Sequence, residues 1–287
     1  MGNMKQRGFT IIELSLFLAI SGTLVLLTIG LWAMVARQQF QDTMTTLKSV
    51  IQTEYGEVRT SINERLGSVD IRGCEPDGTT SGDKTGNTKC LAIGKLIEFT
   101  PGRKEIKISY VVAIPENEQY LSMSDEAALR EIGKGTGTGT QLWVIDDVST
   151  YHVKADDDAV KPKIINIEWG GEFARSWTIP TSDPDPKSSS AIAILHSPVS
   201  SAVLTFALTL NNPVSNSGGL TLGDSALTNQ PIAIIIKNNL LGFKGAAICL
   251  DGGASSTAVR TAIPADDYYD FGTNTTDLTK LRSLCGL

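Results

Sequence analysis

Glu13 is the side chain whose surroundings ask most of it. It is the only ionisable residue between Phe9 and Ala36, in a proline-free run that is otherwise apolar, glycine or hydroxyl-bearing. A carboxylate in such a stretch is costly alone and tolerable when matched by a cation, so the chemistry on offer is a buried ion pair. Four cysteines, Cys74, Cys90, Cys249 and Cys285, follow the apolar run and allow three disulfide connectivities. Cys74–Cys90 and Cys249–Cys285 are favoured because each pair brackets one loop-rich stretch, and closing loops of that size contributes about 3–4 kcal/mol apiece in the chain-entropy account. A zinc site would want a Cys-x-x-Cys knuckle, which the sequence lacks.

Other candidates are weaker. His152 and His196 are the two histidines, and His196-Ser197 has aspartates in the sequence but no Gly-x-Ser-x-Gly elbow for a serine nucleophile. Gly133-Lys134-Gly135-Thr136 and the glycines after it lack the spaced second glycine followed by Lys and Ser/Thr that a phosphate-cradling loop needs. Asp156-Asp157-Asp158 has no EF-hand spacing. Asp266, Asp267, Asp270 and Asp277 form a looser acidic cluster between Cys249 and Cys285. No catalytic set emerges, and the chain is read as a non-enzyme.

The elements that must carry these groups begin with the apolar run itself. From Phe9 to Ala36 it exceeds the roughly 20 residues needed to cross a membrane. Lys5 and Arg7 precede it, an asymmetry that keeps the short N-terminus in the cytoplasm. A cleavable signal peptide has an apolar core of about 7–15 residues with its small residues afterwards, whereas here the run is longer and Gly8 comes before it. Beyond Ala36 the apolar positions thin to Phe40, Met44, Leu47, Val50, Ile51, Tyr55, Val58, Ile62 and Leu66, in steps that mark one face of a helix over 37–66. Gly67 is the predicted stop. Residues 67–95 are turn-rich and read as a surface loop pinned by Cys74 and Cys90.

Short β-rich segments bounded by turn residues follow: 105–114, 141–145, 163–169, 173–179, 191–196, 202–210, 232–237 and 246–250. A short helix is expected over 122–132 with Ser124 as N-cap, and another over 277–284. The predicted fold class is therefore α+β, a long N-terminal helix packed on an antiparallel β-rich head spanning 67–287. Pro184 and Pro186 lie in a linker-like stretch, so the alternative is a head of two lobes dividing near residue 185. The net charge of −6 gives no support to phosphate-driven nucleic-acid binding.

Gly8-Phe9-Thr10-Ile11-Ile12-Glu13-Leu14, read with the basic residues before it and the apolar run after it, closely resembles the processing site of type IV pilins and type II secretion pseudopilins. The resemblance is specific over residues 7–36. It implies that residues 1–8 are a leader removed by a prepilin peptidase between Gly8 and Phe9, and that the new Phe9 amine is methylated. It also implies that the helix first spans the cytoplasmic membrane, then enters a filament through an assembly platform of that membrane. Copies of the same chain and other pilins are the expected partners, and the filament lies at or beyond the cell surface. Glu13 takes the assembly role, meeting the Phe9 amine of a neighbouring subunit.

Many members carry a proline about two turns after the glycine matching Gly22; this chain has Gly30 there. The family also suggests calcium at Asp266, Asp267 and Asp270, since major pseudopilins of the secretion system bind calcium in a C-terminal loop; otherwise no cofactor is expected. Cys249-Leu250-Asp251 with Val259-Arg260 is similar to the last hairpin of minor pilins and pseudopilins with β-sandwich heads. The large head favours a minor or unusual pilin. A major pilin, a secretion pseudopilin and an anchored binding protein that never polymerises are the alternatives.

Overall fold

The computed structural model describes residues 10–60, 91–99, 102–114, 119–133, 141–145, 162–168, 171–178, 187–209, 219–220, 222, 227–228, 230–238, 246–251, 259–262, 282–283 and 285. The chain is α+β: one long N-terminal helix, then an antiparallel β-rich region.

Helix α1 runs Ile11–Thr60 without a break, about 75 Å at 1.5 Å per residue. Gly22 and Gly30 do not interrupt it. Its two halves differ as their composition dictates. Large apolar side chains from Ile11 (86 % exposed) to Val35 (47 %) project from the head, whereas Phe40, Met44, Leu47, Ile51, Tyr55 and Val58 are buried. Residues 61–66, which periodicity adds to the helix, lie outside the described residues.

The strands are β1 Leu91–Phe99, β2 Glu105–Ile114, β3 Gln141–Ile145, β4 Lys163–Asn166, β5 Gly171–Thr178, β6 Lys187–Ser189, β7 Ala191–His196, β8 Val203–Leu208, β9 Gly219–Leu220, β10 Leu227–Thr228, β11 Ile232–Asn238, β12 Ala246–Leu250 and β13 Val259–Ala262. One sheet has the order β10-β8-β7-β1-β2-β3-β9, with β4 beside the other half of β2; the second has the order β13-β12-β11-β5-β6. Residues 181–186, where a two-lobe head would divide, lie outside the described residues, and strands on either side of them pair in both sheets (β1 with β7, β5 with β6).

The buried half of α1 shares one core with both sheets, which includes Ile97 and Phe99 of β1, Ile192 and Ile194 of β7, and Ile232, Ile234 and Ile236 of β11. The opposite face of the larger sheet is covered by α2, Asp125–Ile132, through Ala128, Leu129 and Ile132. Ser124 caps α2 by accepting the Ala127 N–H, and Asp125 and Glu126 occupy its first turn, where the helix dipole favours acids. A 3-10 turn, Gln119–Ser122, precedes it.

The structure differs most sharply from the sequence-based expectation at residues 91–95, which turn-rich composition places in a surface loop. They begin β1, an interior strand of the larger sheet, hydrogen-bonded to β2 on one side and β7 on the other. Gly94 and Lys95 hid it, since a glycine and a charge in mid-run look like a turn. Gly94 instead sits beside a bulge in the β1–β2 register between Ala92 and Gly94. Lys95 is a buried residue with carboxylate partners. The count of about eight strands is also low: thirteen occur among the described residues. Several of the additions, β6, β9 and β10, have only two or three residues, too few to show a period. The segment from Lys163 is a strand only to Asn166, after which Ile167 turns into the core.

Candidate assembly helix

The projecting half of α1 holds Glu13 at its start. Thr10 is the helix N-cap in a reciprocal arrangement: the Glu13 N–H donates to Thr10 Oγ1 (3.3 Å), and the Thr10 N–H donates to Glu13 Oε2 (3.0 Å). The Thr10 hydroxyl donates to the same oxygen (3.0 Å). This is a capping box, in which side chain and backbone at the two positions satisfy each other's open donors. Glu13 Oε1 has no partner among the described residues, leaving one carboxylate oxygen for an outside cation. Thr10 is the residue that sequence reasoning missed; its signal was the spacing Thr-x-x-Glu directly before an apolar run.

Gly8 and Phe9 lie outside the described residues. So do Cys74, Cys90, His152, the Asp156–Asp158 run, and Asp266, Asp267, Asp270 and Asp277. Cys249 and Cys285 are bonded, with Cα atoms 5.5 Å apart, and both are buried. The bond ties β12 to a segment close to the end of the chain, where Arg282, Ser283 and Cys285 are helical.

His196 and Ser197 do not form a relay with an acid. Ser197 Oγ donates to Asp125 Oδ1 (2.6 Å), Ser200 Oγ donates to Asp125 Oδ2 (2.7 Å), and His196 Nε2 is buried with no partner among the described residues. The Ser197 and Ser200 hydroxyls hold the Asp125 carboxyl below its usual range, outweighing a small opposing effect of burial. Burial pushes His196 down, opposed by the negative charge of Asp125. The chemistry is that of a loop fastened to a helix N-terminus: the β7–β8 turn, with Ser201 at a positive φ of 65°, is held against α2.

A second cluster of ionisable groups lies where α1 meets the larger sheet. Lys95 Nζ donates to Glu54 Oε2 and to Glu57 Oε2, and Lys163 Nζ donates to Glu54 Oε1 (3.0 Å). Lys95 also stands 4.9 Å from the centre of the Tyr110 ring, directly across the β1–β2 pair. Glu54 is 1 % and Lys95 5 % exposed, whereas the Glu57 and Lys163 side chains reach solvent. At the next residue of α1, Tyr55 and Thr205 share a buried hydrogen bond of 2.8 Å between their hydroxyls.

Burial by itself would lower the Lys95 ammonium, but the hydrogen bonds to Glu54 and Glu57 and the charge of Glu54 outweigh it and hold the group above its ordinary value. A lysine raised on folding contributes stability that is whole below its unfolded value, about 10.4, and is lost as pH climbs through the folded one. Urea midpoints should therefore hold level from pH 8 to 10 with respect to this group and fall above that. Lys95→Met should lack that alkaline fall and, by leaving Glu54 without its buried partner, cost about 3 kcal/mol at neutral pH. An unchanged alkaline fall in the variant would assign it to other groups.

Searches against family models, curated proteins and solved structures find no match to this chain.

Proposed function

We propose that the chain is a structural subunit of a filament of the type IV pilus or type II secretion kind, and within that class a minor or unusual pilin. The observation that carries the reading is a lone carboxylate one turn into an exposed apolar helix, directly behind Gly8-Phe9. One helix near the N-terminus is long and apolar enough to cross a membrane, and its apolar half buries nothing in the head. In the proposed mechanism the leader is removed at Gly8, the amine of Phe9 appears at the helix start, and Glu13 Oε1 accepts the amine of an adjoining subunit. Apolar helices then exchange lipid for each other, while the β-rich heads face outward. The head, with its covered core and large size, supports a minor rather than a major subunit.

The local capping box favours a second reading. Glu13 already has two bonds from Thr10, so the motif serves a helix start even in an anchored binding protein that never polymerises.

Mass spectrometry of the purified protein's N-terminus, together with a gel of sheared surface fibres, tests the proposal. The expected result is a chain beginning at methylated Phe9 and present in the fibres, at low abundance for a minor subunit. A chain that keeps residues 1–8 and stays in the membrane fraction would overturn the filament reading in favour of the anchor.

A further inference from the structure

The buried face of α1 repeats. Phe40, Met44, Leu47, Ile51, Tyr55 and Val58 follow one another at helical spacings of three and four, and Glu54, three residues after Ile51 and four before Val58, falls on the same face. Glu54 therefore stands within the apolar stripe itself, not on the solvent face, and it is as buried as its apolar neighbours. A stripe of this kind packs almost as well after sliding one turn, because each side chain is replaced by another of similar size. Apolar burial sets which face of the helix is covered; it discriminates weakly between axial positions. A buried carboxylate does discriminate, since displacing it from its cation leaves both unpaired, and fixing register is the best-attested use of such groups.

We infer that Glu54, held by Lys95 of β1 and Lys163 of β4, is the register mark that fixes how far α1 is inserted along the head. Only one axial position brings Glu54 to both lysines at once. Lys163 reaches it from an edge strand and Lys95 from an interior strand, so the carboxylate is gripped from two directions. Glu57, one turn on and half in solvent, backs the contact by accepting from Lys95 at the rim. Tyr55–Thr205 adds a polar contact to another strand, β8, at the same level of the helix. The cluster is a device of the fold and holds whether or not the chain forms filaments. Its consequence is mechanical: a pull on the projecting half of α1 is delivered to the head as shear at one defined level.

The test uses the full chain in detergent, with spin labels attached through non-canonical amino acids at exposed Gln52 on α1 and Asn166 on β4, leaving the cysteines intact. The unchanged chain should show one narrow distance distribution. Glu54→Leu with Lys95→Met, which removes the mark while keeping the stripe apolar, should remain folded and show an added population displaced by about 5 Å, one helical turn. Glu54→Gln, close to isosteric, should show a smaller second population with little risk to folding. A single narrow distribution unchanged in the folded double variant, or in Glu54→Gln should the double variant not fold, would overturn the inference. Either result separates register from stability, because the melting temperature of the double variant is expected to stay the same or rise while its positional spread grows.

Discussion

Glu13→Val should reach the membrane as well as the unchanged chain, yet be depleted about a hundredfold from sheared filaments. Valine is more favourable than a carboxylate in a membrane helix, so insertion does not suffer. In the proposed mechanism assembly does, because the adjoining amine would be left as an unpaired charge in apolar surroundings, at a cost of about 3 kcal/mol or more. Thr10→Ala separates the two roles of the carboxylate. It removes the hydroxyl that accepts the Glu13 N–H, but leaves the carboxylate itself and the backbone bond that Thr10 donates to it. If Glu13 serves mainly to pair with a neighbour, Thr10→Ala should retain most filament incorporation. Normal filament content in Glu13→Val, measured against total membrane protein, would remove the ion pair from the mechanism.

A comparably large effect is expected in the head at Gly94. A Cβ there would lie 2.0 Å from the Ile194 carbonyl oxygen and 2.9 Å from Leu195 Cα, both backbone atoms of the neighbouring strand β7. Neither can move without breaking the β1–β7 pairing in the middle of the larger sheet. Gly94→Ala should therefore cost about 3 kcal/mol or more, the upper end of overpacking penalties, and many molecules should fail to fold. Gly56 on α1 offers the contrasting case, with nothing within 4 Å of the position a Cβ would take. Gly56→Ala should raise stability by about 1 kcal/mol through helix propensity alone. Denaturant midpoints of the two variants check both statements; equal effects would show that helix and strand propensity, rather than close approach to β7, governs Gly94.

These two glycines mark the limit of what one sequence reveals. The division of α1 into a projecting and a packed half was legible, because composition changes abruptly near Ala36 and a period of three to four then emerges. The α+β layout and most longer strands were legible for the same reason, from alternation between turn residues. β1 was not. Its glycine serves a backbone contact with a strand about a hundred residues away, and its lysine is matched by a carboxylate on α1; neither reason is local. Glu54 escaped notice similarly, since a charge within an apolar stripe reads as noise until its partners on β1 and β4 are seen. Thr10 was legible in principle, because a capping box is a local pattern, although the membrane charge of Glu13 is the stronger signal in the same stretch. Cys249–Cys285, one of the two favoured pairs, is present. The second pair lies outside the described residues.

Among the described residues both sheets taper at their margins: β9 and β10 have two residues each, β6 has three, and β4 and β13 have four. Very short edge strands are one of the ways in which sheets avoid templating a foreign strand. These short margins work against edge-to-edge fusion of the heads when many copies are crowded together.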